Sequence, residues 1–232
     1  MTGLMSNPTY WIFMLPALLL GLIAQAWVKG AYSKYSRVAN SARITGAEAA
    51  QRLIRNEGLN IKLEGVAGVL TDHYDPRSNT LRLSQGIATQ PSIAALAVTA
   101  HELGHAEQDA NSYALLRLRS GLVPVVNFTS WLGPILFLVG ILLNSYNLAG
   151  IGVICFLGAV IFSLVTLPVE LNASRRALKM LDDAGLVNDG QERAAARRVL
   201  SAAALTYVAA LVQSISTLLY YVSLLGGGRR RS

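Results

Sequence analysis

Four long stretches without a charged residue constrain this chain more than any other feature. They cover residues 10–28, 122–143, 148–168 and 202–225. Each stretch is long enough to cross about 30 Å of hydrocarbon as a helix. The composition agrees, since 53% hydrophobic and 14% charged residues make a mixture too apolar for an ordinary soluble protein. The sequence therefore predicts a mainly α-helical integral membrane protein with about four transmembrane helices.

The first stretch is predicted to be a retained transmembrane helix and not a cleaved signal peptide. No Lys or Arg precedes it, and Lys29 follows where a signal peptide would have a small-residue cleavage site. The short polar turn 144–147 makes the second and third stretches a tight transmembrane hairpin. Residues 1–232 are thus predicted to form one membrane-embedded domain.

The positive charges predict which side of the membrane the polar segments occupy. Lys and Arg residues concentrate in segments 29–121 and 169–201, whereas the residues before Tyr10 and the turn 144–147 contain none. Because cytoplasmic segments carry the excess of Lys and Arg, both polar segments are expected in the cytoplasm, most simply at a prokaryotic plasma membrane. The terminal arginines 229–231 would then lie outside, against this rule.

The larger polar segment contains the motif His101-Glu102-Leu103-Gly104-His105. Residues four apart share one face of a helix, so His101 and His105 can each give a nitrogen to one Zn²⁺. Glu102 lies about 100° further round, where it can take a proton from water without being a ligand. The preceding run 93–100 is almost wholly apolar, so ionisable groups there would be costly unless paired or metal-bound. We therefore predict one Zn²⁺ per chain, with Glu102 as the catalytic base.

A small cytoplasmic α+β region of zincin-like type is predicted around this motif. The first element is a helix that begins with a capping box at Thr45 and Glu48 and ends at Gly58. Extended segments follow at 61–64 and 66–74, then a turn at 75–79 and a strand at 80–84. A β-hairpin is thus expected directly before the motif helix, which should run from Pro91 to about Tyr113 or beyond. The hairpin either binds an extended peptide along its edge or only covers the helix.

A catalytic zinc site needs a third protein ligand besides two histidines. Glu170 follows the third apolar stretch directly, on the other cytoplasmic segment and close to the membrane. Capping of the next helix is an alternative role for Glu170. His73 and Asp109 are competing ligands, and Asp109 is better placed to orient a histidine by a hydrogen bond. The candidates for stabilising an oxyanion or binding substrate are His73, Tyr74, Arg175 and Arg176, and a tyrosine such as Tyr207 could also stabilise the oxyanion. A structural role explains each of them equally well.

Three blocks together resemble the YugP-type family of membrane-bound neutral zinc metallopeptidases. They are residues 70–76, 100–108 and 168–177, and the resemblance covers nearly the whole chain. It implies that Glu170 is the third zinc ligand. The segment from Glu170 to Ala173 also resembles the ligand segment of the HtpX and CAAX-processing membrane proteases. Those proteins have an Asp at the position of Ser174. The HtpX-type proteins also have an Asp five residues after the second histidine, whereas Asp109 lies four residues after His105.

These features predict a membrane-anchored, zinc-dependent endopeptidase that cleaves membrane-associated proteins or peptides at the cytoplasmic membrane face. One alternative is an intramembrane zinc protease, although the run 91–104 is short for a membrane span. Another is a non-catalytic membrane scaffold or chaperone with a structural zinc, in which Glu102 would have no task. Nucleic acid is not an expected partner despite the net charge of +7, because no basic patch is interleaved with aromatic residues. The lone Cys155 excludes a disulfide framework and a cysteine zinc site.

Overall fold

The protein is described by a computed structural model that covers residues 8–187 and 190–229. In this part of the chain, the elements are α1 (Pro8–Tyr35), α2 (Gly46–Asn56), β1 (Lys62–Val66), β2 (His73–Asp75), β3 (Thr80–Ser84), α3 (Gln85–Thr89), α4 (Ile93–Ala110), α5 (Ala114–Leu142), α6 (Tyr146–Asp183) and α7 (Gly190–Arg229). The fold is therefore mainly helical, with one small sheet.

Four of these helices, α1, α5, α6 and α7, are long and apolar enough to cross a membrane. The shortest has 28 residues and the longest 40, which corresponds to about 42 to 60 Å at 1.5 Å per residue. The predicted number of membrane-spanning helices is thus confirmed for the described residues. Helix α7 ends at Arg229, and the rest of the terminal arginine triplet lies outside the described residues.

Two of the long helices continue from apolar into polar sequence without a break. Helix α6 passes through Pro168 and runs on to Asp183, and α7 begins at Gly190, well before its apolar part. Neither Gly nor Pro interrupts the polar stretch 169–183, so the backbone can keep its helical hydrogen bonds. Gly185 then takes a positive φ of 61°, which suits the end of a helix.

The chain divides into two compact units. Among the described residues, the helical unit comprises residues 8–24, 118–167 and 206–229, and it contains most of the four uncharged stretches. The α/β unit comprises residues 25–117 and 168–205 and contains the sheet. Its core includes the fully buried side chains of Leu53, Leu81, Leu83, Leu96, Leu103 and Leu181.

The α/β unit contains a three-stranded mixed sheet in the order β1-β3-β2. The central strand β3 is parallel to β1 and antiparallel to β2, so β2 and β3 form the predicted hairpin. The prediction that residues 66–74 are extended throughout is wrong. Gly68 and Leu70 have φ angles of 112° and 58°, which interrupt an extended backbone and leave only β2 as a strand.

Helix α4 carries the His-Glu-x-x-His motif and is shorter than predicted. It runs from Ile93 to Ala110 instead of from Pro91 to Tyr113 or beyond. Ser92 precedes it as N-cap and accepts the backbone N–H three residues further on at 3.1 Å. Just beyond its other end, Ser112 has a φ of 57°, which no α-helix accommodates. The short helix α3 separates α4 from the hairpin, so the hairpin does not precede it directly.

Helix α2 begins with the predicted capping box of Thr45 and Glu48. Thr45 Oγ1 accepts the backbone N–H of Glu48 at 3.2 Å, and Glu48 Oε2 accepts that of Thr45 at 2.7 Å. The buried residues of α2, which include Ala49, Ala50 and Leu53, belong to the same core as α4. Packing of α2 against α4 therefore covers one side of the motif helix.

Candidate metal centre

Two histidines of α4 lie side by side on one face of the helix. His101 and His105 are four residues apart, and their ring centroids are separated by 4.9 Å. Their side chains are only 13% and 12% exposed. The helix therefore holds two imidazoles together in a largely buried environment.

Glu170 of α6 completes a cluster of three potential metal ligands. Its side chain is 1% exposed, and its Oε2 lies 3.2 Å from His101 Nε2 and 3.4 Å from His105 Nε2. One donor atom from each residue lies within 4.8 Å of the others. Glu170 is 69 positions from His101 in the sequence, and only the packing of α6 against α4 brings them together.

A glycine between the two histidines allows this close approach of the helices. A Cβ at Gly104 would lie 2.6 Å from the backbone oxygen of Ala173 in α6. We expect Gly104→Ala to push α4 and α6 apart and to destabilise the fold by about 1–3 kcal/mol. Zinc affinity should fall as well, because Glu170 lies on the displaced helix. Thermal unfolding and zinc titration of the full chain in detergent measure the two effects.

Gly30→Ala in α1 is the matched control for this substitution. A Cβ at Gly30 would meet nothing within 4 Å, and the higher helix propensity of Ala should leave stability unchanged or raise it by up to about 1 kcal/mol. If Gly104→Ala behaved like Gly30→Ala in both measurements, the close contact between α4 and α6 would not be needed for the site.

The chemistry of the three donors fits a bound Zn²⁺. Gln108 Oε1 lies 3.0 Å from His105 Nδ1 and accepts its hydrogen, because Gln108 Nε2 donates to Val169 O at 2.8 Å. The lone pair of His105 Nε2 then faces a carboxylate oxygen, an arrangement that requires a second proton or a cation between them. Two donors bound to a tetrahedral zinc at about 2.0–2.1 Å lie about 3.3 Å apart. The two observed separations of 3.2 and 3.4 Å are close to that value.

The second nitrogen of each histidine is also engaged, which fixes the orientation of the rings. Ser174 Oγ lies 3.3 Å from His101 Nδ1. Gln108 Oε1 likewise contacts Nδ1 of His105, and Gln108 Nε2 lies 2.9 Å from Asn172 Oδ1. The sequence analysis missed Gln108, although its place three residues after His105 puts it within reach on the helix surface.

The prediction that Asp109 orients a histidine is wrong. Asp109 Oδ2 accepts a hydrogen bond from the hydroxyl of Tyr74 at 3.0 Å instead. Helical geometry explains this, because Asp109 lies about 20° from Glu102 around the α4 axis and about 40° from His105. Asp109 therefore belongs to the side of α4 that faces β2.

Glu102 lies beside the three donors without being one of them. Its Oε2 accepts the backbone N–H of Tyr74 in β2 at 3.1 Å. Removal from water raises the pKa of the Glu102 carboxyl, an effect that favours proton acceptance at neutral pH. The structure thus sets a second carboxyl group, that of Glu102, between the donor cluster and the edge of the sheet.

The remaining predicted site residues make contacts of their own. His73 is exposed, and its Nδ1 lies 2.8 Å from Thr71 O, so it does not belong to the donor cluster of the described residues. Arg175 is exposed. Arg176 donates to Glu107 Oε1 at 2.5 Å and to Asn172 Oδ1 at 2.8 Å. Of the four candidates for binding substrate, only Tyr74 contacts Glu102 directly.

Comparison with known proteins defines the class to which this site belongs. The family described as "Putative neutral zinc metallopeptidase" matches residues 10–226, and the chain belongs to this family. The resemblance seen in the three sequence blocks is thereby confirmed. The chain is also 48% identical over 214 residues to the "Putative membrane protease YugP" of Bacillus subtilis (strain 168), which covers 92% of this chain and 95% of the relative. No solved structure gives a significant match.

Proposed function

We propose that this protein is a membrane-anchored, zinc-dependent endopeptidase whose Zn²⁺ is held by His101, His105 and Glu170. The observation that carries the proposal is the placement of Glu102, which neighbours the donor cluster but is bonded to β2. A structural zinc site is closed by four protein ligands, whereas a catalytic site has three and a base nearby. Membership of the zinc metallopeptidase family supports the same class of reaction.

Each side chain of the site has its own role in the proposed reaction. A bound Zn²⁺ would supply a Lewis acid that lowers the pKa of water to about 7 and polarises the substrate carbonyl. Glu102 accepts a proton from the attacking water and then donates it to the amine nitrogen that leaves as the peptide bond breaks. Gln108 and Ser174 keep the two imidazoles oriented through their Nδ1 atoms.

We propose His73, Tyr74, Arg175 and Arg176 as the first candidates for stabilising the oxyanion. The charge of Arg176 is already paired with Glu107, and its side chain is only 25% exposed. His73 is exposed and directly precedes the residue whose backbone holds Glu102. His73 is therefore the first of the four to replace.

We propose the outer edge of β2 as the place where an extended substrate binds. Strand β2 pairs with β3 on one side only, and the N–H of Tyr74 points away from β3 towards Glu102. In an antiparallel ladder the N–H and C=O of one residue point to the same side. The carbonyl of Tyr74 therefore also faces outward, where it can accept an N–H from a peptide beside the catalytic base.

Removing the N–H of Tyr74 is expected to slow catalysis without removing zinc. Tyr74→Pro deletes this donor at an edge position where no ladder hydrogen bond is lost. Because a hydrogen bond to a charged group contributes about 1.5–3 kcal/mol, kcat should fall about 10- to 100-fold. Tyr74→Ala is the control, since it loses the same side chain and keeps the N–H. Equal kcat values for the two variants, at equal zinc content, would show that this N–H does not hold Glu102.

We further propose that the catalytic segments face the cytoplasm of a prokaryotic cell. The four apolar helices support a membrane location, and the Lys and Arg residues of segments 29–121 and 169–201 support this orientation. The substrates would then be membrane proteins, or peptides that reach the cytoplasmic face of the membrane. Helix α4 is not among the described helices able to span a membrane, which argues against cleavage within the bilayer.

Zinc content and cleavage of fluorescein-labelled casein by the full chain in detergent test the proposal. The wild-type protein should contain about one Zn²⁺ per chain and cleave casein, and Glu102→Gln should retain the zinc and lose the cleavage. A zinc-containing wild type that cleaves no more than Glu102→Gln would instead indicate a scaffold with a structural zinc.

A further inference from the structure

A cavity of about 360 Å³ lies against helix α4 in the α/β unit. Its walls come from three parts of the chain: α4, the β2–β3 hairpin and the segment 58–61 that precedes β1. The residues that matter for its chemistry are Ala106, Asp109 and Ala110 of α4 together with Tyr74 and Asn79 of the hairpin. Nothing in the proposed reaction uses this space.

The cavity lies on the same side of α4 as the catalytic base. Ala106 and Asp109 follow Glu102 by one and two turns, about 6 and 10 Å along the helix axis. Tyr74 connects the two places, because its N–H bonds to Glu102 at 3.1 Å and its hydroxyl bonds to Asp109 at 3.0 Å. A peptide that follows the edge of β2 past Glu102 would therefore run beside residues that line this cavity.

The walls combine one negative charge with room for a long side chain. Asp109 is the only residue with a charged side chain among the described lining residues. Burial and the bond to Asp109 raise the pKa of Tyr74, so its hydroxyl stays protonated. Its one hydrogen is shared between Asn79 Oδ1 at 2.7 Å and Asp109 Oδ2 at 3.0 Å. Ala106 and Ala110 occupy little space, and Leu59 and Ile61 offer apolar surface.

We propose that this cavity is a substrate subsite for a basic side chain, lysine or arginine, whose charged end pairs with Asp109. The methylene stem of such a residue would lie on the apolar wall, as long basic side chains do elsewhere. The inference rests on the proposed peptidase function, since it names the substrate residue that the same active site selects.

Matched peptides that differ at one residue test this subsite. The full chain, in detergent and loaded with zinc, is given peptide sets in which each position in turn carries lysine or norleucine. Norleucine keeps the stem of lysine and lacks its charge. Mass spectrometry identifies the cleavage site, and peptide positions are counted from it. At one of these positions we expect kcat/KM to be about 10- to 100-fold higher for lysine than for norleucine.

Asp109→Asn should remove most of that lysine-to-norleucine ratio while keeping an acceptor for Tyr74. Asp109→Lys should reverse it and favour glutamate at the same position. Asp183→Asn is the matched control, because it removes an equal charge from an exposed position of α6 outside the cavity. A melting curve and the zinc content of each variant show that the fold and the metal site are retained.

Binding separates the subsite from catalysis. The zinc-loaded Glu102→Gln variant, titrated with the lysine and norleucine peptides, should bind the lysine peptide more tightly, and Asp109→Asn in that background should abolish the difference. Cleavage without a lysine preference, or with one that Asp109→Asn leaves intact, would overturn the subsite and leave the peptidase standing. Preferential binding of lysine without cleavage would retain the subsite and contradict the peptidase. Neither cleavage nor preferential binding would overturn both.

Discussion

Glu102→Gln is expected to lower the rate of peptide-bond cleavage by about 10²- to 10⁴-fold while zinc remains bound. Glutamine has the size and shape of glutamate, and its amide can still lie next to the N–H of Tyr74 in β2. It cannot accept a proton from water. Because Glu102 is not one of the three clustered donors, the zinc affinity should stay within about twofold of that of the wild type. Casein cleavage and zinc titration of the full chain give the two values.

Glu64→Gln is the matched control for this experiment. It makes the same chemical change on β1 of the same unit, at a residue whose side chain is half exposed and pairs with Arg82. Such pairs contribute little to stability, so cleavage and zinc binding should both stay at wild-type values. If Glu102→Gln kept more than about a third of the wild-type rate, Glu102 would not be the general base.

Glu170→Ala is expected to weaken zinc binding by more than about 100-fold. Removing a residue that only orients a metal ligand lowers metal affinity by up to about 100-fold, and removing a ligand itself should lower it further. The substitution leaves two imidazoles in the site and removes the carboxylate that lies 3.2 and 3.4 Å from their Nε2 atoms. Two histidines without a third protein ligand are insufficient for a stable zinc site. Cleavage should be lost together with the metal. Competition with a fluorescent zinc chelator measures the affinity directly.

Two further variants identify the cause of a loss in affinity. Glu170→Gln keeps the volume of the side chain and removes its charge, so it should also lose zinc if the carboxylate is a ligand. Asp183→Asn, on the exposed part of the same helix, should bind zinc as the wild type does. Unchanged affinity in Glu170→Ala would refute the assignment, and His73 would be the next residue to replace.

Local sequence patterns were sufficient to predict most of the secondary structure around the site. The capping box at Thr45 and Glu48 marks the start of α2, and the turn residues 75–79 identify the β2–β3 hairpin. These features depend on contacts between residues close in the chain, so the sequence displays them directly. The parallel pairing of β1 with β3 was not predicted, because β2 and two connecting segments lie between these strands in the sequence.

The predictions failed where the local sequence allowed a helix either to end or to continue, and where two neighbouring side chains could reach the same partner. Helix α4 ends at Ala110, earlier than its polar sequence suggests, because Ser112 turns into a left-handed conformation. Gln108 and Asp109 could each reach towards a histidine from the next turn of the helix. The contact of Asp109 with Tyr74 and the contacts of Gln108 with Val169 and Asn172 decide between them. Those partners come from β2 and α6, whose positions are not readable from α4 alone.

The sequence by itself indicated the class of the protein and set two of the three proposed zinc ligands on one face of a helix. Uncharged stretches longer than the bilayer core predict spanning helices, and a four-residue spacing sets His101 and His105 on one helix face, because both follow from the geometry of a single helix. The sequence also singled out Glu170 as a candidate third ligand, but only the tertiary structure places it beside the two histidines, 69 positions from His101. It did so because Gly104 lets the backbones of α4 and α6 approach, a contact between distant segments that no local pattern encodes. Packing of β2 against α4 set Tyr74 between Glu102 and Asp109, and with it the proposed subsite.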